Sequence, residues 1–272
     1  MNEATATPLQ ASIAGIGFWT RGLPSWDSAR AFVADGTLPA DPPSRPSPQL
    51  LAPNERRRAP ETVAVALDVA LAACTAAGRD PALLASVFAS THGDLTITDY
   101  MCATLVEAPR SISPTKFHNS VHNAAAGYWT IGAGAQAAAT AISAYDSSFA
   151  QGLLEALVQI ATGTEAVLLV AYDSTATGPL GRTSPSSGLL GGALLLVRDP
   201  LAGASRIVVR LRDSGSQDDA AQTHAAGPLA LLAAGNAMTP MLPVFEALAR
   251  GTRTVSLASG AGRVMDLEFD HA

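Results

Sequence analysis

Short, uninterrupted apolar runs alternate along this chain with stretches whose apolar residues recur every three or four positions. The runs are 11–18 (ASIAGIGF), 83–90 (LLASVFAS), 137–143 (AAATAIS), 166–172 (AVLLVAY) and 189–197 (LLGGALLLV). Each has strand length, and continuous apolar character is the mark of a strand covered on both faces. Between them, Val63, Leu67, Ala70, Leu71 and Cys74 share one helical face, as do Phe149, Leu153, Leu157 and Ile160. Further helices are predicted from Ser25 to about Asp35, from the His92-Gly93-Asp94 turn to about Val106, and over Ala124–Ile131. The alternation predicts an α/β layered sheet. From Arg206 the pattern changes. Ile207, Val209 and Leu211 alternate with Val208, Arg210 and Arg212, which is a half-exposed strand. One helix (Met241–Arg250) and a hairpin (Thr254–Ala258 with Arg263–Phe269) follow.

Seven of the eighteen prolines lie between Pro39 and Pro60. Proline fixes φ and removes a donor, so an extended surface excursion is expected there. The 272 residues are 48% hydrophobic and only 15% charged, so the chain can bury a full core and is not disordered. A net charge of −6 argues against nucleic acid as a partner. The uncharged segment 124–143 is Ala, Gly and Thr rather than Leu and Ile, and no membrane span is expected. The N-terminus lacks the basic and apolar regions of a signal peptide, and two unpatterned cysteines suit a reducing compartment. A cytoplasmic location is the expectation.

The stretch 141–156 (AISAYDSSFAQGLLEA) runs from strand to turn to amphipathic helix. Such a corner presents one side chain at a helix mouth, and here that side chain is Asp146. Ser143 and Asp146 have capping-box spacing, so a structural cap is the plain reading. His118 and His122 stand four apart, a spacing that puts two imidazoles on one helix face, but no nearby acid completes a metal motif. Glu55-Arg56-Arg57-Arg58 reads as a solvated run more than as a docking patch. His92-Gly93-Asp94 is explained by a turn as well as by acid–base chemistry. Gly15-Ile-Gly17 lacks the third glycine of a dinucleotide loop, so no cofactor is expected. Ser184, Ser186 and Ser187 lie in a Gly/Ser/Pro loop without a G-x-S-x-G elbow, which gives a serine hydrolase little support.

Taken in order, the segments ASIAGIGFWT, SPTKFHNSVHNAAAGYWTIGAG, ATAISAYDSSFAQGLLEALVQIATGTEAVLLVAYD and GLLGGALLLV resemble the N-terminal half of β-ketoacyl synthases. The resemblance covers about residues 10–200. It implies a thiolase-like N-terminal half, a layered α-β-α arrangement with a mixed sheet, over residues 1–200. A truncated α+β remnant with one helix and a hairpin would occupy 201–272. The nucleophilic cysteine of the family falls on Asp146, and none of the five histidines (His92, His118, His122, His224, His271) has the family's catalytic context. A carboxylate is a weak nucleophile and would give an anhydride in place of a thioester. The combination resembles the truncated chain-length-factor-like subunits of aryl polyene pathways. That implies no catalytic residue, no cofactor and no metal. It also implies a heterodimer with a catalytic β-ketoacyl synthase, an acyl carrier protein met through that partner, and a share in shaping the acyl tunnel. Phe117, Asn119, Val121, His122, Trp129, Ala141, Ser143, Tyr145 and Phe149 are then the expected tunnel or interface residues. A malonyl-carrier decarboxylase and a homodimeric acyl-binding module are the alternatives.

Overall fold

The computed structural model describes residues 8–214 and 227–271. Eight strands form one mixed sheet in the order β3-β2-β4-β5-β1-β6-β8-β7. The strands are β1 (Leu9–Thr20), β2 (Ala85–Ala89), β3 (Ala139–Ile142), β4 (Ala166–Asp173), β5 (Leu190–Val197), β6 (Arg206–Asp213), β7 (Thr254–Ala258) and β8 (Arg263–Asp270). β2 pairs in parallel with β3 and β4, and every other pairing is antiparallel. β4 and β5 are buried along their whole lengths, as their unbroken apolar sequences require.

Helices cover both faces. On one, α3 (Glu61–Ala76) and α6 (Ala124–Ala133) pack with Phe88, Leu168, Val170 and Leu195. On the other, α1 (Trp26–Asp35) and α7 (Ser148–Ala161) pack with Val87, Leu169 and Leu194. Gly15 and Gly17 serve that packing. A Cβ on either would fall 2.1 Å and 2.0 Å from the carbonyl oxygens of Ala73 and Val69 on α3. Gly192 leaves room for Phe245 of the C-terminal helix on the opposite face.

The Pro-rich stretch forms no helix or strand up to Ala52, but it bends repeatedly and turns at Gln49–Leu50 where a simple extended excursion was expected, with Leu51 buried as its anchor. A short helix, α2 (Pro53–Arg58), then carries the arginine run. Arg56 Nη2 donates to the Leu51 carbonyl at 3.0 Å, so this arginine is a tether as well as a surface charge. The remaining helices are α4 (Leu95–Glu107), α5 (Pro114–Asn119), α8 (Gly178–Thr183), α9 (Pro228–Leu232) and α10 (Leu242–Arg250). α9 is an addition to the single C-terminal helix expected from sequence. Its start is held by Glu246 of α10, whose Oε1 accepts the amide of Leu229 at 2.9 Å. His224 lies outside the described residues. No helix among those described is long and apolar enough to cross a membrane.

Candidate functional site

The C-terminal ends of the parallel strands β2, β3 and β4 meet at one edge of the sheet, the usual place for a site in an α/β layer. Three loops converge there: the elbow 143–148, the turn 90–94 and the loop 173–188.

The elbow is strained and held by hydroxyls. Tyr145 has φ +53°, the only left-handed non-glycine among the described residues. Ser148 Oγ accepts the Ala144 amide at 3.0 Å and donates to the Tyr145 carbonyl at 2.7 Å. Ser147 Oγ accepts the amide of Gly260 at 2.9 Å. The cap expected from Ser143 and Asp146 does not form. Ser143 Oγ turns away and donates to the Thr91 carbonyl at 3.0 Å, and Asp146 is exposed, with no hydrogen-bond partner among the described residues. The physical reason is the turn of 3-10 helix at Tyr145–Ser147, which precedes α7, so that Ser147 takes the N-cap position without a side-chain cap and Ser148 braces the turn through Ala144 and Tyr145.

The neighbouring turn is organised around a buried acid. Asp173, at the end of β4, is fully buried. It accepts the Ser90 hydroxyl at 2.7 Å, the Thr91 amide at 3.0 Å and the His92 amide at 3.3 Å. Burial pushes its carboxyl above the usual range, against the pull of those donors and of the His92 ring. Gly93 has φ +65°, as a turn requires, and Asp94 caps α4 through the Ile97 amide at 2.9 Å. The His92 ring lies between Asp173, 3.9 Å from Nδ1, and Ser184, whose Oγ is 2.6 Å from Nε2.

The expected tunnel and interface residues do not share one surface. Trp129 and Phe149 are core: Trp129 packs on Phe88 with ring centroids 6.3 Å apart, and Phe149 on Phe245 at 6.5 Å. Neither has surface to offer a partner. Phe117, Val121 and Tyr145 are exposed hydrophobics, Ala141 is half-buried on β3, and Ser143 is exposed. Asn119 is buried with Oδ1 unpartnered, beside a cavity of about 320 Å³ also lined by Arg58, Glu61, Asp94 and Lys116. His122 Nε2 meets the Ser90 carbonyl at 2.8 Å. The shared helical face expected of His118 and His122 is absent, because α5 stops at Asn119. Ser120 closes it by donating both its amide and its hydroxyl to the Phe117 carbonyl. Among the described residues, no group of three or more His, Cys, Asp or Glu is placed to hold a metal ion.

His92 and Ser184 lie in separate segments of the sequence, and no local pattern marks Asp173. The three are far apart in the chain, and only the meeting of the β2 and β4 ends joins them.

The β-ketoacyl synthase N-terminal domain profile matches residues 26–260. The chain belongs to this family. No curated protein sequence matches it. Solved structures show the ketosynthase fold at low identity. One is a ketosynthase in complex with its chain length factor from Xenorhabdus doucetiae, with 23% identity, TM-score 0.72, and 96% of this chain and 99% of that chain covered. The ishigamide ketosynthase/chain length factor gives 16% identity, TM-score 0.72 and coverages of 96% and 99%. A type II polyketide synthase acyl-carrier protein in complex with its ketosynthase bound to the hexaketide gives 14%, 0.72, 98% and 100%. By contrast, the chain covers 76% of the ketosynthase from module 1 of the bacillaene synthase of Bacillus amyloliquefaciens.

Proposed function

We propose that this β-ketoacyl synthase family member is a non-condensing, chain-length-factor-like partner of an active synthase, in an aryl polyene or related type II polyketide pathway. The observation that carries this reading is the elbow. Its nucleophile position is taken by Asp146, an exposed carboxylate with no imidazole or other partner among the described residues. No thiol stands in for it. Cys74 is buried in α3 with its thiol pushed up to about 12 by burial, and Cys102 sits on α4. Condensation requires a thiolate, and this elbow has none.

The sheet edge supports the pairing. β3 is the outermost strand, carries neither charge nor proline, and is at most half-buried. An unprotected edge of this kind is a template for another strand. A synthase contributing its own edge strand would continue the sheet, with Phe117, Val121 and Tyr145 at the contact or the tunnel wall. The near end-to-end coverage of chains from two ketosynthase/chain length factor complexes agrees with this assignment.

Co-expression with a synthase that keeps its cysteine and histidines, followed by size-exclusion chromatography with light scattering, tests it. A one-to-one complex is expected. A chain that stays monomeric beside the synthase would sink the pairing, and a homodimer that ignores the synthase would point to an acyl-binding module. Carbon dioxide release from malonyl carrier that is lost in Asp146→Ala, with the partner's nucleophile disabled, would instead establish a decarboxylase.

A further inference from the structure

His92 is too well surrounded to be a spectator. Its side chain is 9% exposed, and its Nδ1 is buried with no hydrogen-bond partner. Buried ring nitrogens are ordinarily satisfied, and the group facing this one is the Asp173 carboxylate, 3.9 Å away. The other ring nitrogen is 2.6 Å from Ser184 Oγ, on a half-buried loop residue. The imidazole therefore has a hydroxyl at one ring nitrogen and a buried acid near the other, with the acid itself fixed by Ser90 and the amides of Thr91 and His92.

We propose that Ser184, His92 and Asp173 form a hydrolytic triad acting on activated acyl groups, thioesters foremost. This goes beyond the pairing reading and does not depend on it. A proton on Nδ1, facing Asp173, leaves Nε2 as acceptor for the Ser184 hydroxyl, which is the base-competent tautomer. The Asp173 contact is longer than a hydrogen bond, and catalytic contacts in unliganded enzymes commonly tighten when substrate binds. A purely structural role for the Ser184–His92 bond explains less. The loop is already secured by Ala176 to Ser186, Ser187 to Gly235, and the Asn236 side chain to the carbonyls of Asp173 and Ser187. The 320 Å³ cavity, of small-ligand size, lies nearby: Ser174 and Thr175, which follow Asp173 in the chain, line it, whereas the three triad side chains do not.

The chemistry balances with water as the second reactant. Ser184 Oγ attacks the acyl carbonyl while Nε2 takes its proton. A C–O bond forms, the C–S bond breaks, and the thiolate leaves as thiol with the proton returned by Nε2. Water then gives a proton to Nε2 and attacks the acyl-serine. The C–O bond to Ser184 breaks, Ser184 recovers its proton, and a carboxylic acid departs.

The full chain, assayed with p-nitrophenyl butyrate and the butyryl thioester of N-acetylcysteamine, should hydrolyse both above background. Ser184→Ala and His92→Gln should each lower kcat/KM by on the order of 10³-fold, while Ser187→Ala leaves it unchanged. A fluorophosphonate should label Ser184 in the unmodified chain, located by peptide mass spectrometry, which needs no variant to fold. Background-level hydrolysis together with absence of that label would overturn the proposal. So would activity retained in a folded Ser184→Ala chain.

Discussion

Gly17 and Val69 are in contact through backbone alone: a Cβ on the glycine would stand 2.0 Å from the valine carbonyl oxygen. β1 and α3 approach this closely because the strand has no side chain there. Gly17→Ala must push the helix off the sheet, and overpacking of this kind costs about 1–3 kcal/mol or more. The expected result is a lower denaturant midpoint with an unchanged m-value. An unchanged midpoint would mean that the helix shifts freely.

The elbow separates a tightly bound serine from an unbound acid. Ser148→Ala leaves the Ala144 amide without its acceptor and should destabilise by about 1–2 kcal/mol. Asp146→Ala breaks no hydrogen bond and should stay within about 0.5 kcal/mol of the parent, whatever it does to function. Equilibrium unfolding of the two variants side by side checks the contrast.

Trp129 and Phe117 should also part company. Trp129→Ala removes a fully buried ring and should cost about 3–5 kcal/mol. Phe117 is 61% exposed, so Phe117→Ala should barely move the melting temperature. If Phe117 lines the tunnel of a synthase complex, the same change should lengthen or blur its products, read by chromatography of the extracted chains.

Asp68 gives the fold a pH signature. Burial raises its carboxyl to about 6, although a backbone hydrogen bond from Ser47 and the charge of Arg56 pull it down. A carboxyl raised in the folded state binds its proton more tightly there than in the unfolded chain. Stability from this group is therefore present below about pH 4 and is lost as pH rises to about 6. Such a displacement corresponds to about 3 kcal/mol, reduced by residual solvent contact to about 1–2. Asp68→Asn should stabilise the protein by that amount at pH 8 and by nothing at pH 3.5, as urea titrations at the two pH values would show.

Where one segment carries its own answer, the sequence was legible. AVLLVAY spells a strand covered on both faces, and 166–172 lies within β4. The wet and dry sides of β8 follow from Met265, Leu267 and Phe269 alternating with Asp266 and Glu268. Local pattern fails where a distant group decides. α5 ends at Asn119, capped by the Ser120 hydroxyl, so the spacing of His118 and His122 misleads. The Gly15-Ile-Gly17 pair looks like loop chemistry and is helix clearance. Ser184 meets His92 across 92 positions of sequence, a distance over which no spacing rule operates.

Thr91 joins the two halves of the site. Its carbonyl holds the Ser143 hydroxyl, its own hydroxyl reaches the Tyr145 carbonyl at 3.4 Å, and its amide is bound by Asp173. The elbow and the imidazole beside it are thus geared together. A partner subunit that reseats Tyr145 as it docks would turn the same gear, and association at the sheet edge would register in the reactivity of a hydroxyl it never touches.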